Sequence, residues 1–193
     1  MNATVAQVWA GLRMIVVMTL LLGLAYPLVL TGLAQVAVPG RADGSLVERD
    51  GNLVGSSLIG QSFADDPSYF QSRPSAAGDG YDALASSASN LGPESPDLIQ
   101  LIEERRAAAA ELDGTAPDDV APDALTASGS GLDPHISPAY AEQQVARVAR
   151  ERGLSEDVVR RLVDEYTSGR TIGFLGEPRV NVLELNLALD ARD

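Results

Sequence analysis

The chain has 193 residues, a length typical of one domain, and its 27 acidic residues against 14 Arg give a net charge of -13. This acidic balance excludes a uniformly basic nucleic-acid-binding protein, so no nucleic acid partner is expected. The chain contains no Cys, no Lys and a single His, which excludes disulfides, thiolate metal sites, a Walker A lysine and any site that needs two imidazoles.

An uncharged, strongly apolar segment covers residues 14–38. It is longer than the roughly 20 residues that a helix needs to cross the hydrocarbon core of a bilayer. A cleaved signal peptide is the alternative, with Gly23 and Ala25 as its small-residue cleavage site, but the apolar run continues well beyond that point. The sequence therefore favours a single-pass transmembrane helix over residues 14–38, after a short cytoplasmic N-terminus over residues 1–13.

Charges beside the apolar segment predict its orientation. Arg13 and the amino terminus precede the segment, whereas Arg41 after it is offset at once by Asp43. Positive charge tends to remain on the cytoplasmic side, and a long acidic body is free to be translocated. We therefore expect a protein of the cell (inner or plasma) membrane whose N-terminus is cytoplasmic and whose residues 39–193 form an extracytoplasmic, acidic soluble domain.

One face of the predicted helix carries small residues and a proline. Residues spaced four apart along this face are Thr19, Gly23, Pro27 and Thr31. Small residues at that spacing let a second helix approach closely, so the face is a candidate helix–helix interface. Pro27 has no backbone N–H and leaves the carbonyl of Gly23 without its partner, which predicts a kink. A lone anchor that tolerates Gly and Pro is the alternative.

The first part of the body combines a hairpin with a long irregular segment. Residues 45–54 predict a short β-hairpin in which Arg49-Asp50-Gly51 lies between the two strands, and residues 57–63 are expected to add a strand. Residues 64–96 are rich in Gly, Pro, Ser, Asp and Asn, a composition typical of a loop. The loop also contains large apolar and aromatic side chains, which predict that it is ordered and packed: Tyr69, Phe70, Tyr81 and Leu91.

Three helices are predicted next from their start and stop signals. A Ser before each helix is the N-cap, and a Gly ends it. In chain order these pairs are Ser95 and Gly114, Ser137 and Gly153, and Ser155 and Gly169. A linker is expected over residues 113–124. The predicted apolar stripe of the first helix consists of Leu98, Leu101, Ile102 and Leu112.

The C-terminal part predicts a strand over residues 171–175 and leaves residues 180–190 ambiguous. Leu residues alternate there as in a strand, whereas Asn181 and Glu184 form a capping box typical of a helix. A helix is favoured because Leu, Glu and Ala have high helix propensity. No internal repeat is visible, and the predicted fold is an irregular mixed α/β domain without the alternation of a doubly wound sheet.

The Gly-rich loop over residues 126–138 is the densest candidate for chemistry. Such loops before a helix can bind anions, but this one has no Lys and no phosphate-loop pattern. Asp133, His135 and Ser137 are the residue types of a hydrolase triad, at positions too close in sequence to converge. His135 is therefore interpreted as a hydrogen-bonded turn residue. Arg73, in the long loop, is expected to fasten that loop to the body rather than to bind a carboxylate ligand.

Six segments together resemble a known family. They are GSSLIGQSF (55–63), YFQSRPSA (69–76), SNLGPESPDL (89–98), TASGSGLDPHISP (126–138), QVARVARERGL (144–154) and GEPRVNVLELNLALD (176–190). With the N-terminal apolar helix, they make nearly the whole chain similar to the C subunit of the bacterial high-affinity potassium-transporting Kdp ATPase. Ser87 and Ala88 depart from that family, which more often has glycines there.

The resemblance implies a non-catalytic accessory subunit with no cofactor of its own. The implied partners are a potassium-channel-like A subunit, a P-type ATPase B subunit that hydrolyses ATP and a small F subunit, all in membrane lipid. ATP and potassium are used by the complex. The implied roles of the C subunit are to stabilise this assembly and, as a catalytic chaperone, to raise the affinity of the B subunit for ATP.

The family motifs also imply partner contacts in their loops, at Arg73, Ser75, Asn90, Gly131, Asp133 and His135. An extracytoplasmic body cannot touch ATP bound in the cytoplasm, so an effect on ATP affinity has to pass through the membrane helices. A membrane-anchored extracytoplasmic enzyme or solute-binding module is the alternative function.

Overall fold

Two units make up the computed structural model, which describes residues 2–64 and 66–192; one unit ends at Leu53 and the other begins at Val54. The first unit is dominated by an apolar helical segment, Ala3–Ala37, of 35 residues. Among the described residues it is the one helix long and apolar enough to cross a membrane, which confirms the predicted apolar helix. The segment starts at Ala3, ahead of the predicted start at residue 14.

A π-helical turn over Leu21–Ala25 joins the two α-helical parts of this segment, α1 (Ala3–Leu20) and α2 (Tyr26–Ala37). The turn lies directly before Pro27, which cannot donate to the helical hydrogen-bond ladder. A wider turn is one way in which a helix accommodates such a break. A π-helical turn therefore lies directly before Pro27, and the kink predicted at this proline stays a prediction.

A short helix, α3 (Pro39–Ala42), is followed by a two-stranded hairpin of β1 (Leu46–Arg49) and β2 (Asn52–Ser56). The two residues between the strands, Asp50 and Gly51, have φ of 52° and 77°. Positive φ at both central residues is the geometry that two-residue hairpins prefer, and Asp-Gly is among the sequences that adopt it most readily. The predicted hairpin is confirmed.

The strand predicted over residues 57–63 is wrong, because this segment is a turn followed by irregular chain. The N–H of Gly60 donates to the carbonyl of Leu132 at 2.8 Å. A Cβ at Gly60 would lie 2.6 Å from the carbonyl oxygen of Asp133, so only glycine permits this approach. The segment is thereby pinned to the Gly-rich loop instead of to a sheet.

Four helices follow in the second unit: α4 (Pro96–Asp113), α5 (Pro138–Arg152), α6 (Glu156–Glu165) and α7 (Val182–Asp190). The predicted helices are confirmed, and Gly114 and Gly153 close α4 and α5 with positive φ. The helix favoured over residues 180–190 is also confirmed, since Asn181 Oδ1 accepts from the N–H of Glu184 at 3.1 Å. α6 ends at Glu165 rather than at Gly169, because the chain then enters a strand.

The apolar stripe predicted for α4 is only partly correct. Leu112 is exposed, whereas Ala110 and Asp113 are buried. The buried face is set by contacts at the C-terminal turn of α4, where the carboxylate of Asp113 meets the guanidinium of Arg147. The linker expected over residues 113–124 is also more ordered than predicted, with two 3-10 turns that help to bury Val120, Ala121 and Ala124.

A three-stranded antiparallel sheet has the order β3-β5-β4, formed by His135–Ile136, Arg179–Asn181 and Thr167–Ser168. The central strand pairs Val180 with Ile136 on one side and with Thr167 on the other. The strand predicted over residues 171–175 is wrong. That segment is a tight turn closed by a single bridge between Thr171 and Leu175, and Gly173 within it has φ of 84°.

The core of the second unit lies between α5, α6, α7 and this sheet. Its fully buried side chains include Val148, Val159, Val180 and Leu185. Phe70, from the long irregular loop, belongs to the same cluster and is fully buried. The prediction of an ordered, packed loop is confirmed for its described residues. This loop and the Gly-rich loop carry all six residues for which the family motifs imply partner contacts.

Candidate functional site

Three of the predicted loop residues meet around one carboxylate. Asp133 Oδ2 accepts from Arg73 Nη1 at 3.2 Å, and Asp133 Oδ1 accepts from the backbone N–H of His135 at 3.0 Å. His135 Nδ1 lies 3.3 Å from the same oxygen. Arg73 Nη2 also donates to the carbonyl of Thr126 at 3.2 Å. Arg73 therefore ties the long loop to the Gly-rich loop, as its sequence context predicted.

The surroundings of Asp133 favour its charged form. Partial burial raises the pKa of this carboxyl, but hydrogen bonds from the side chain and backbone of His135, and electrostatic attraction to His135 and Arg73, outweigh burial. The net effect places the pKa of Asp133 below its ordinary value of 3.8. Asp133 is thus a carboxylate at neutral pH, which suits it to holding the two loops together rather than to donating a proton.

Ser75 and Gly131 join the same two loops a few residues away. Ser75 Oγ donates to the carbonyl of Gly131 at 2.7 Å and accepts from the backbone N–H groups of Ala77 and Tyr81 at 3.1 and 2.8 Å. Tyr81 donates its hydroxyl to the carbonyl of Arg73 at 2.8 Å, and burial raises its pKa to about 12. Gly131 has φ of 69°, and a Cβ there would lie 2.7 Å from the backbone nitrogen of Ala77.

The side chains of residues 133–137 do not form a triad. Ser137 Oγ donates to Asp123 Oδ1 at 2.9 Å and accepts from the N–H of Tyr140 at 3.0 Å, so it caps α5. His135 is bonded instead to Asp133. The expectation that these side chains do not converge is thus wrong for Asp133 and His135 and correct for Ser137. Each of these groups serves local structure, in agreement with the interpretation of His135 as a turn residue.

Asn90 is not brought into this cluster. It has φ of 53°, lies on the surface, and donates its side-chain amide to the carbonyl of Ala88 at 3.2 Å. The nearby chain is tied to the Gly-rich loop at another point, where the N–H of Ser87 donates to the carbonyl of Ser130 at 3.0 Å. Asn90 thus shapes its own turn.

Two buried amide side chains hold the long loop against the helices. Asn186 on α7 accepts from the N–H of Phe70 at 2.9 Å and donates to its carbonyl at 3.0 Å. Gln144 on α5 does the same for Gln71, at 2.6 and 3.3 Å. The two amides give this strand-like stretch of loop the partners that a neighbouring strand would otherwise supply. The sequence analysis missed this role for Asn186, and its only signal is a polar residue on a buried helix face.

Arg147 is a further buried anchor of the loop, which the sequence analysis also missed. Its side chain is fully buried, and its Nε donates to Asp113 Oδ1 at 2.7 Å. Nη1 donates to the carbonyls of Pro67 and Tyr69, and Nη2 donates to Gln144 Oε1 at 2.6 Å. One guanidinium thus joins α4, α5 and the long loop. Charged residues are rarely buried unless paired in this way.

A partly exposed cluster extends this anchoring towards the C-terminus. Arg152 Nη2 donates to Asp190 Oδ1 at 2.7 Å, and its guanidinium carbon lies 4.4 Å from the centre of the Tyr69 ring. Tyr69 in turn donates its hydroxyl to Asp190 Oδ2 at 3.2 Å. The long loop is therefore fixed at both Tyr69 and Phe70.

A cavity of about 330 Å³ lies between the long loop and α4. Its described lining includes Arg73, Tyr81, Arg105 and Tyr140 and no carboxylate. Burial lowers the pKa of Arg105, whose Nη1 donates to the carbonyl of Leu125 at 2.9 Å. The lining offers hydrogen-bond donors but no acid–base pair. No cluster of three or more His, Asp or Glu fit to hold a metal ion occurs in residues 2–64 and 66–192.

The predicted face of the apolar helix is uncovered within the described chain. Thr19, Gly23, Pro27 and Thr31 are all exposed. A Cβ at Gly23 would meet only the methyl group of Thr19, at 3.8 Å. The space beside Gly23 is therefore open to another molecule.

These features define a small protein with one apolar helix fit to span a membrane and one mixed helix/strand domain stabilised by internal polar contacts. The family model for the K+-transporting ATPase, c chain (KdpC), matches residues 8–191. The chain belongs to this family.

Individual relatives agree with the family match over almost their full length. The chain is 64% identical over 183 residues to the potassium-transporting ATPase KdpC subunit of Kineococcus radiotolerans, covering 95% of this chain and 92% of the relative. It is 56% identical over 188 residues to the subunit of the same name from Sorangium cellulosum, with coverage of 96% and 97%. The corresponding subunit of Koribacter versatilis is 55% identical over 177 residues, with coverage of 92% and 90%.

Proposed function

We propose that this chain is a non-catalytic accessory subunit of an ATP-driven potassium-uptake complex of the cell membrane, where it stabilises the assembly of the channel-like A subunit with the P-type ATPase B subunit and the small F subunit. The family match and the names of its relatives support potassium transport as the setting. The arrangement of the polar residues supports an accessory role within it.

The observation that carries the proposal is the internal use of the motif residues. Arg73 and Ser75 of the long loop donate hydrogen bonds to Asp133 and Gly131 of the Gly-rich loop. Ser137 donates a hydrogen bond to Asp123. A catalytic site keeps a nucleophile, an acid or a base directed at the substrate, whereas these groups fix backbone. A domain whose polar side chains set the shape of its loops is suited to recognising a protein partner.

The apolar helix is the second point of assembly in this proposal. Its face at Thr19, Gly23, Pro27 and Thr31 is open, and small residues allow the close backbone approach that transmembrane helices use to associate. The π-helical turn at Leu21–Ala25 adds backbone groups that a neighbouring helix can contact. Lipid covers the remaining surface of this helix.

The proposed topology is a cytoplasmic N-terminus with residues 39–193 outside. Because the chain has no Cys, one introduced thiol reports on one position. Leu84→Cys lies on the fully exposed Leu84 of the body, and Asn2→Cys lies before the apolar helix. In intact cells, a membrane-impermeant maleimide is expected to label Leu84→Cys and to label Asn2→Cys only after lysis. The reverse pattern would place the body in the cytoplasm and refute the topology.

The functional test compares the complex with and without this chain. Co-expressed A and B subunits are expected to separate in mild detergent when the chain is omitted, and to need more ATP for half-maximal hydrolysis if they are kept together. The purified full chain alone is expected to hydrolyse no more ATP than its Asp133→Asn and His135→Ala variants. Stable A–B association without the chain, or hydrolysis by the chain that these substitutions abolish, would contradict the accessory role.

A further inference from the structure

An exposed apolar turn projects from the second unit, between β4 and β5. Its three large side chains are solvent-exposed: Ile172 by 78%, Phe174 by 68% and Leu175 by 49%. Single exposed apolar residues are common on protein surfaces, but three within four positions at one turn form a patch of the type that marks interaction sites.

The turn is closed by backbone hydrogen bonds, which distinguishes it from an irregular loop. Thr171 and Leu175 exchange two backbone hydrogen bonds, of 2.8 and 3.0 Å. Below them, Arg170 Nη2 lies 2.5 Å from Glu177 Oε2 and closes the base of the turn. A preorganised apolar anchor loses little conformational freedom when it enters a pocket, so it binds better than a mobile one.

Ile172 holds an unfavourable backbone conformation at the apex of this turn. Its φ is 56°, a region that a β-branched residue rarely adopts. Its side chain is mostly exposed, so packing within the chain does not compensate for the strain. Strained residues of this kind cluster at functional sites, which suggests that Ile172 is needed at the apex for a contact outside the chain.

Charge distinguishes between a lipid surface and a protein as the partner. The charges at the base of the turn, on Arg170 and Glu177, neutralise each other. Residues 39–193 carry all 27 acidic residues of the chain. Peripheral membrane binding combines apolar residues with Lys and Arg that attract anionic lipid, and an acidic domain is repelled from such a surface. An uncharged turn on an acidic domain fits an apolar protein pocket with a neutral or basic rim.

We propose that the turn over residues 170–177 is a docking element whose apolar side chains insert into such a pocket on another subunit of the same potassium-transporting complex. The inference rests on the proposed function, because that function supplies the partner. Ile172 and Phe174 are the anchors, and Leu175 extends the buried patch. The ion pair of Arg170 and Glu177 remains at the rim, where it keeps the turn closed.

The test measures retention of the full chain by its partner subunits in mild detergent. Phe174→Ser is expected to lower affinity about tenfold or more, since burying an aromatic side chain contributes more than one decade in binding. Ile172→Gly is the decisive variant. Glycine adopts positive φ without strain, so the thermal midpoint of the chain should not fall, while retention in the complex does. Leu84→Ser, at a 99% exposed position away from the turn in sequence, is the control and should be retained normally.

Each outcome decides the proposal. Loss of retention in Phe174→Ser and Ile172→Gly with normal retention of Leu84→Ser supports it. Normal retention of all three variants overturns it and leaves the proposed function intact, whereas a wild-type chain that is not retained refutes both. An environment-sensitive fluorophore attached at Leu175→Cys, in the full chain reconstituted in vesicles of phosphatidylcholine and phosphatidylglycerol, tests the lipid alternative, because the chain has no other Cys. A blue-shifted emission from the chain alone, together with normal retention of Phe174→Ser, would assign the turn to the membrane surface instead.

Discussion

Replacement of the buried Arg147 by Met is expected to release the long loop and destabilise the second unit strongly. Met preserves the length and much of the volume of the side chain but removes every donor. The carboxylate of Asp113 would keep its 2.7 Å bond from Gln143 Nε2 and lose the guanidinium. The carbonyl of Pro67 would lose the donor that Arg147 provides, whereas the carbonyl of Tyr69 would keep its 3.0 Å bond from Gln71 Nε2. The variant therefore leaves the buried carboxylate of Asp113 without its cation and removes one donor from each of these two carbonyls.

The expected loss of stability follows from the contacts that Arg147→Met removes. Removing one partner of a buried ion pair costs about 3–5 kcal/mol, because the other charge remains buried and unpaired. For a domain of this size, each kcal/mol lowers the thermal midpoint by about 2–4 °C, so a fall of roughly 10 °C is expected. In the double variant Arg147→Met, Asp113→Asn, the buried charge is gone and an acceptor for Gln143 remains. Part of the lost stability should return.

Circular dichroism of the full chain in mild detergent measures the midpoint, and hydrogen exchange followed by mass spectrometry reports on the loop. The amides of Phe70 and Gln71, protected by Asn186 and Gln144, should exchange faster in Arg147→Met. Arg160→Met is the control, because Arg160 forms its ion pairs on the surface. An equal loss of stability in the two single variants, or a double variant no more stable than Arg147→Met, would refute the reasoning.

Three further changes have defined outcomes. Gly131→Ala should destabilise the chain by about 1–3 kcal/mol, because Gly131 has positive φ and lies close to the backbone of Ala77. Gly129→Ala is the control, since Gly129 lies in open space, and equal thermal midpoints of the two variants would contradict the prediction. Asp133→Asn should make the free energy of unfolding fall less steeply at acid pH, because the contribution of the wild-type carboxylate is complete above pH 3.8 and is lost as pH falls through its lowered pKa. Identical acid-denaturation curves of the variant and the wild-type chain would contradict this. Gly23→Leu should reduce co-purification with partner subunits more than Gly32→Leu, with unchanged melting; the opposite order would place the interface on another face.

Local signals accounted for most of the helices. Ser137 and Gly153 bound α5 as the sequence predicted, and Asn181 begins α7 through its side chain. The Asp50-Gly51 turn likewise defines the hairpin. These signals operate within a few residues, through caps and turn conformations, so a single sequence is enough to find them.

Elements that depend on distant partners could not be found in this way. The short strands β4 and β5 exist because Val180 lies between Ile136 and Thr167, a pairing that no local pattern encodes. Residues 171–175 have the composition of a strand, yet they form a turn, since Gly173 and Ile172 have positive φ there. Tertiary pairing thus determines β4 and β5, whereas residues 171–175 form a turn closed by their own backbone hydrogen bonds.

The candidate site likewise contains one contact that the sequence predicted and others that depend on distant partners. The link between Arg73 and the body was predicted, because an Arg in a loop without an obvious ligand most often fastens that loop. The buried roles of Arg147 and Asn186 were not predicted, because a polar residue on a helix does not indicate that the backbone of a loop will lie against it. Such anchors become visible only when the fold brings residues more than 70 positions apart into contact.

The most direct measurement is purification of the tagged full chain from detergent-solubilised membranes, followed by native mass spectrometry of the eluate. The account predicts that the chain elutes in fixed stoichiometry with the other subunits of a potassium-transporting ATPase, and that ATP hydrolysis belongs to this complex. Recovery of the chain alone from membranes that contain those subunits, under conditions in which the subunits remain assembled with one another, would contradict it.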